Sequence, residues 1–197
     1  MNVALQRPAR MTVAAFLAWD APPGRLWQLV DGTAEAMAPT SRTHGTIQAE
    51  LGSLIREHLR NSGRNCVVVS NPGVIPQAGA GDNFRIPDLG VTCTEYEPEE
   101  YDLSEPILLI EILSPGKYRE TWANVRAYLS IPNLQEILLV ETETIGAALF
   151  QRGPDGAWPA EPQRIAAGTL TLASIDFAVP LAGLYRGTRL ARGGAQG

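Results

Sequence analysis

The pattern of apolar and polar positions predicts most of the elements of this chain. From Ser41 to Asn61 the residues His44, Ile47, Leu51, Leu54, Ile55 and Leu59 recur at spacings of three and four. That spacing predicts a long helix with one buried face, capped by Ser41 or Thr43 and ended by Asn61, Ser62 and Gly63. The run ILLIEIL is too short for a helix of its own and too apolar for an exposed strand. It predicts a central strand buried on both faces. Pro115 and Gly116 stop it, and a second helix is expected from about Lys117 to Ser130, with Tyr118, Trp122, Val125 and Leu129 as its buried stripe. QEILLVE is a further strand. LWQLV and TAEAMA read as a hairpin around Asp31-Gly32, a pair suited to a tight turn with positive φ. CVVVS, GVIPQ and LGVTC are also expected as strands, with AGAGDN and the acidic YEPEEYDLSEP as loops. A short helix is expected within Met11–Trp19, and a β meander towards the end with turns at Gly153–Gly156 and Ala167-Gly168. The order is that of a mixed α/β domain: one buried sheet and at least two flanking helices.

Composition narrows the class. With 197 residues, 45% hydrophobic and 19% charged, the chain suits one globular domain, taken as 11–189 between flexible ends at 1–10 and 190–197. No apolar run approaches the roughly 18 residues that span a bilayer, and no signal segment is apparent, so a soluble, cytoplasmic protein is expected. In that compartment Cys66 and Cys93 are expected to stay reduced and pack as small hydrophobes, with a disulfide as the alternative. Two cysteines and two histidines, widely spaced, make no structural zinc pattern. The net charge of −5 argues against avid nucleic-acid binding by overall charge, but leaves room for a local basic groove or a divalent cation that screens phosphate.

Two carboxylates carry the candidate chemistry. Asp88 follows Pro87 in FRIPDLGV, and Glu111 sits inside ILLIEIL. Each has a plain explanation alone: Asp88 as a turn carboxylate, Glu111 as the partner of an arginine or lysine at the sheet edge. Together they favour a site for a hard cation such as Mg²⁺, because buried carboxylates are costly unless paired or bound to metal.

Read in order, WQLVDG, MAPTSRTH, RIPDLGV, ILLIEILSP, YLSIP, QEILLVE and LTLASIDFAVPLAGLY resemble the Uma-type restriction endonucleases, a branch of the PD-(D/E)XK nuclease superfamily. The likeness runs from about Met11 to Arg189. It implies a restriction-endonuclease-like mixed β-sheet flanked by α-helices, with extra β-hairpins. It implies an endonuclease dependent on Mg²⁺ (or Mn²⁺) that acts on nucleic acid, DNA foremost, as a homodimer. Asp88 and Glu111 would ligate the metal, with the carbonyl of Ile112 as a third ligand. The superfamily's lysine, two residues after the glutamate, is Leu113 here. The helix lysine of the branch falls on Asn124, and a glutamate near its start on Gln28. Lys117, on one helix face with Glu120 and Tyr128, is the lysine left to serve the site, unless it is simply solvated. His44 matches a histidine of the family. It would hydrogen-bond a metal-bound water or relay protons, or else be structural. Trp27, Trp122 and Tyr128 are expected in the core, and Arg56, Arg60 and Arg64 on a solvated helix face. Two functions follow. One is a nuclease using Asp88, Glu111, Lys117 and His44, whose cleavage Asn124→Lys should raise. The other is a degenerate relative that binds or assembles, favoured by Asn124, Gln28 and the acidic balance.

Overall fold

Strand alternation decides which side chains meet which helix. A computed structural model describes residues 10–193 except 96 and 98. After a short helix α1 (Val13–Leu17), strands β1 (Trp27–Val30) and β2 (Thr33–Ala36) form a hairpin. Asp31 and Gly32 both take positive φ, at 47° and 77°, as a tight hairpin turn matched to strand twist requires. The long helix α2 (Arg42–Asn61) follows, and Ser41 caps it by accepting from the His44 amide at 3.2 Å. Next come β3 (Val67–Ser70), β4 (Leu89–Thr92), β5 (Leu108–Ile112), α3 (Tyr118–Tyr128), β6 (Glu136–Val140), β7 (Ala147–Gln151) and β8 (Gln163–Ile165). These six strands form one sheet in the order β3-β4-β5-β6-β7-β8. Only the β5–β6 pair is parallel, and α3 makes the crossover between them.

Even-numbered residues of β5 (Leu108, Ile110 and Ile112) pack against Ile47, Leu51, Ile55 and Leu59 of α2. Odd-numbered Leu109 and nearby Leu113 pack with Val125 and Tyr128 of α3. Each fully buried leucine or isoleucine of the α2 stripe contributes about 1.5–3 kcal/mol relative to exposure. Glu111 shares the parity of Leu109 and therefore faces α3.

Several elements differ from the sequence reading. GVIPQ is no strand: only Gly73 and Val74 form isolated bridges, and Val74 exchanges two backbone hydrogen bonds with Arg85. Pro72 precedes it and Pro76 lies within it, and neither has an amide to donate. The final strands do not form one meander. β9 (Thr169–Leu172) and β10 (Phe177–Pro180) pair only with each other and close the α2 side of the core. The buried stripe of α3 is Thr121, Asn124, Val125 and Tyr128, while Tyr118 is 40% exposed. The face is rotated because polar Asn124 and Tyr128 have a partner inside, Glu111. Cys66 and Cys93 are joined by a disulfide, not left as thiols. β3 and β4 are antiparallel with Val67 opposite Thr92, so the next step outward places the two cysteines face to face. Of the expected flexible ends, 1–9 and 194–197 lie outside the described residues, and the start of the expected tail is helical in α4 (Arg189–Gly193). Among the described residues no helix is long and apolar enough to cross a membrane.

Candidate active site

The ends of β4 and β5, the start of α2, one face of α3 and the β1–β2 hairpin enclose a cleft of about 550 Å³. It brings together Gln28, His44, Asp88, Glu111, Ile112, Lys117, Glu120 and Asn124. Its carboxylates are Glu35, Asp88, Glu111 and Glu120, with Lys117 the one lysine on its wall, so the lining is acidic.

Asp88 and Glu111 sit side by side for a topological reason. β4 and β5 are antiparallel with Leu89 opposite Ile110, and one further step sets Asp88 opposite Glu111 on the same face. Both are buried, Asp88 at 5% exposure and Glu111 at 7%. Asp88 is held from two directions. The Ile112 amide donates to Oδ2 at 2.6 Å, and His44 Nε2 lies 2.9 Å from Oδ1. A carboxylate offers only lone pairs, so Nε2 donates to it, while Nδ1 lies within hydrogen-bond distance of Ser114 Oγ at 3.1 Å. The His44 ring thus runs between Ser114 and Asp88, with both nitrogens engaged.

Glu111 is held from α3. Tyr128 donates its hydroxyl to Oε1 at 2.8 Å, and Asn124 Nδ2 approaches the same oxygen at 3.3 Å. Burial first, and the charge of Asp88 second, push the Glu111 carboxyl up to about 8. The bonds from Tyr128 and Asn124 and the charge of Arg85 act in the opposite sense. Burial and the neighbouring Glu111 push the Tyr128 hydroxyl well above its ordinary range, so it remains a donor.

Lys117 is at the rim. It occupies the N-cap of α3, its side chain is 41% exposed, and Nζ lies 3.9 Å from Glu120. It makes no hydrogen bond to Asp88 or Glu111. Gln28 turns its amide oxygen inward, where Oε1 is buried with no hydrogen-bond partner among the described residues. Tyr128 belongs to both the core and the site, whereas Trp27 and Trp122 pack at the edges of apolar clusters. Arg56 and Arg60 are exposed as expected, and Arg64 reaches the Ser174 carbonyl and Asp176.

The sequence reading missed Arg85 and Ser114. Arg85 stands in FRIPDLG much as Glu111 stands in ILLIEIL, a charge inside an apolar run, and the same burial argument would have found it. Ser114 had no sequence signal beyond its place after the central strand.

The donor set suits a hard divalent cation. Among the described residues no three histidine, cysteine, aspartate or glutamate side chains converge on one point. A cation here would draw on two carboxylates, main-chain oxygen and water, which are the oxygen donors that Mg²⁺ and Mn²⁺ prefer. Such an ion would also relieve the repulsion that lifts Glu111.

A family profile described as "Uma2: Putative restriction endonuclease" matches residues 13–180. An uncharacterised protein of Synechocystis sp., slr1290, is 27% identical over 180 residues, covering 90% of this chain and 93% of its own length. A crystal structure titled as a putative nuclease belonging to DUF820, from Anabaena variabilis, superposes with a TM-score of 0.72 at 17% identity. The match covers 89% of this chain and 97% of that one, and shows a shared restriction-endonuclease-like fold.

Proposed function

This chain belongs to the Uma2 family of restriction-endonuclease-type proteins, and from that premise we propose that it hydrolyses nucleic-acid phosphodiesters with the help of a divalent cation. The observation that carries the reading is the pairing of Asp88 and Glu111 on one face of the sheet, buried at the wall of an open cleft. Asp88, Glu111 and the Ile112 carbonyl would hold Mg²⁺ or Mn²⁺. When bound, that ion supplies a lowered water pKa and positive charge against a phosphate oxygen.

The chain's own residues prepare the site. His44 and the Ile112 amide keep the Asp88 carboxylate turned into the cleft. Tyr128 and Asn124 do the same for Glu111. The Ser114–His44–Asp88 chain would pass a proton along the wall of the cleft. Lys117, half-exposed at the rim, is placed to meet the phosphate backbone of an incoming strand. DNA is the first substrate to examine, and a homodimer is the assembly to test beside it.

Single-turnover cleavage of plasmid, single-stranded DNA and RNA with Mg²⁺ or Mn²⁺ tests the reading. Asp88→Asn keeps the shape and should lower cleavage by at least about 10²–10³-fold. Wild-type protein inert on every substrate with either metal, or an undiminished Asp88→Asn variant, would overturn it. A second reading, a relative that binds without cleaving, draws on one observation: Lys117 pairs with Glu120 and no lysine touches either carboxylate.

A further inference from the structure

Among the described residues Arg85 is the only buried arginine or lysine, at 5% exposure. An unpaired buried cation is costly. The ion pairs of lysine and arginine among those residues involve Arg10, Arg64, Lys117 and Arg186, and none involves Arg85. Its guanidinium is bound instead by two neutral amides. Nε and Nη2 donate to Asn83 Oδ1 at 3.1 and 2.7 Å, and Nη1 donates to Asn124 Oδ1 at 2.9 Å. Asn83 in turn donates to Asp31 and Asp82. The charge is therefore held off from every carboxylate by one amide.

Arginine has no acceptor, so the side of Asn124 that faces it must be the oxygen. Nδ2 is then left pointing at Glu111 Oε1, 3.3 Å away. Arg85 does not line the cleft; it stands behind Asn124.

We propose that Arg85 is the positioning cation of this site: acting through Asn124, it holds the Glu111 carboxylate in place and contributes from behind the wall the positive charge that the exposed arginines of α3, Arg119 and Arg126, do not bring to Glu111. The proposal rests on the reading of Glu111 given above. It also changes the expectation for Asn124→Lys. A lysine there removes the acceptor from Arg85 and adds a second positive charge in the same buried space. Arg85 and a lysine at position 124 therefore exclude each other, and the substitution alone should harm the protein, not improve it.

The test is a set of chemical denaturation curves on the metal-free full chain. Asn124→Lys alone should shift the folding equilibrium towards unfolded on the order of a hundredfold, the scale of two like charges a few ångströms apart in a partly polar interior. Adding Arg85→Met should recover most of that loss, whereas adding Arg85→Lys, similar in length but charged, should not. A role in packing alone would not separate Met from Lys. If Asn124→Lys does not fold alone, restoration of folded protein by Arg85→Met is the same result read as rescue. Equal loss in all three backgrounds, or equal recovery by Met and Lys, overturns the proposal. Calorimetry of wild-type protein with Mn²⁺ runs beside it. No Mn²⁺ uptake with the charge-specific recovery intact would support the placement of Arg85 and count against the nuclease reading instead.

Discussion

Glu111 carries the most direct electrostatic consequence at the scale of single residues. Its folded-state pKa is pushed up to about 8 from an ordinary 4.5, by burial and then by Asp88. A raised carboxyl means that the folded chain holds a proton that the unfolded chain has released. Its contribution to stability is full below pH 4.5 and is lost as pH climbs through about 8. Glu111→Gln removes the titration and keeps the side chain's shape. Denaturant curves of the metal-free protein between about pH 5 and 9 should show wild type losing on the order of 4 kcal/mol relative to Glu111→Gln. Parallel pH profiles for the two proteins would show that Glu111 is not the buried, charge-coupled group described here.

At the scale of elements, the edge of the sheet is fastened by a bond. The Cys66–Cys93 disulfide joins the outer strand β3 to β4, the strand that Asp88 enters, across a sequence separation of 27. A loop of that length corresponds to about 3–4 kcal/mol in the chain-entropy account. Cys66→Ser/Cys93→Ser should lose roughly that much in denaturation midpoint analysis, while divalent-cation uptake by the cleft is retained. Unchanged stability would mean that the strand pair needs no staple. The pairing of these cysteines was not legible in the sequence, because it depends on β3 and β4 being adjacent and in register. What was legible had a strong local period. The stripe of α2 is the one its spacing predicts, apart from half-buried Leu54, and ILLIEIL is the central strand. The face of α3 was not legible from hydrophobicity, since it buries Asn124 and Tyr128 towards a carboxylate and leaves Tyr118 outside. The same lesson holds for the site. Asp88 and Glu111 stood out as charges in apolar surroundings. Arg85 stood out in the same way, but its link to the site, like that of Ser114, runs through a partner distant in sequence, 39 and 70 residues away.

At the scale of the whole molecule, the antiparallel step from β4 to β5 and the parallel return to β6 through α3 create the cleft. The first sets two carboxylates side by side, and the second lays Asn124 and Tyr128 over one of them. The chain as a whole is acidic, at −5, and so is the cleft lining. Phosphate is repelled by such a surface until a cation is present, so cation uptake is the central claim of this account. Calorimetric titration of the full chain with Mn²⁺ near pH 7, in two buffers of different ionisation enthalpy, measures it. Wild type should bind, and should release close to one proton as Glu111 becomes a ligand; Asp88→Ala should show no comparable uptake. Absence of binding by wild type, or equal binding by Asp88→Ala, would contradict it.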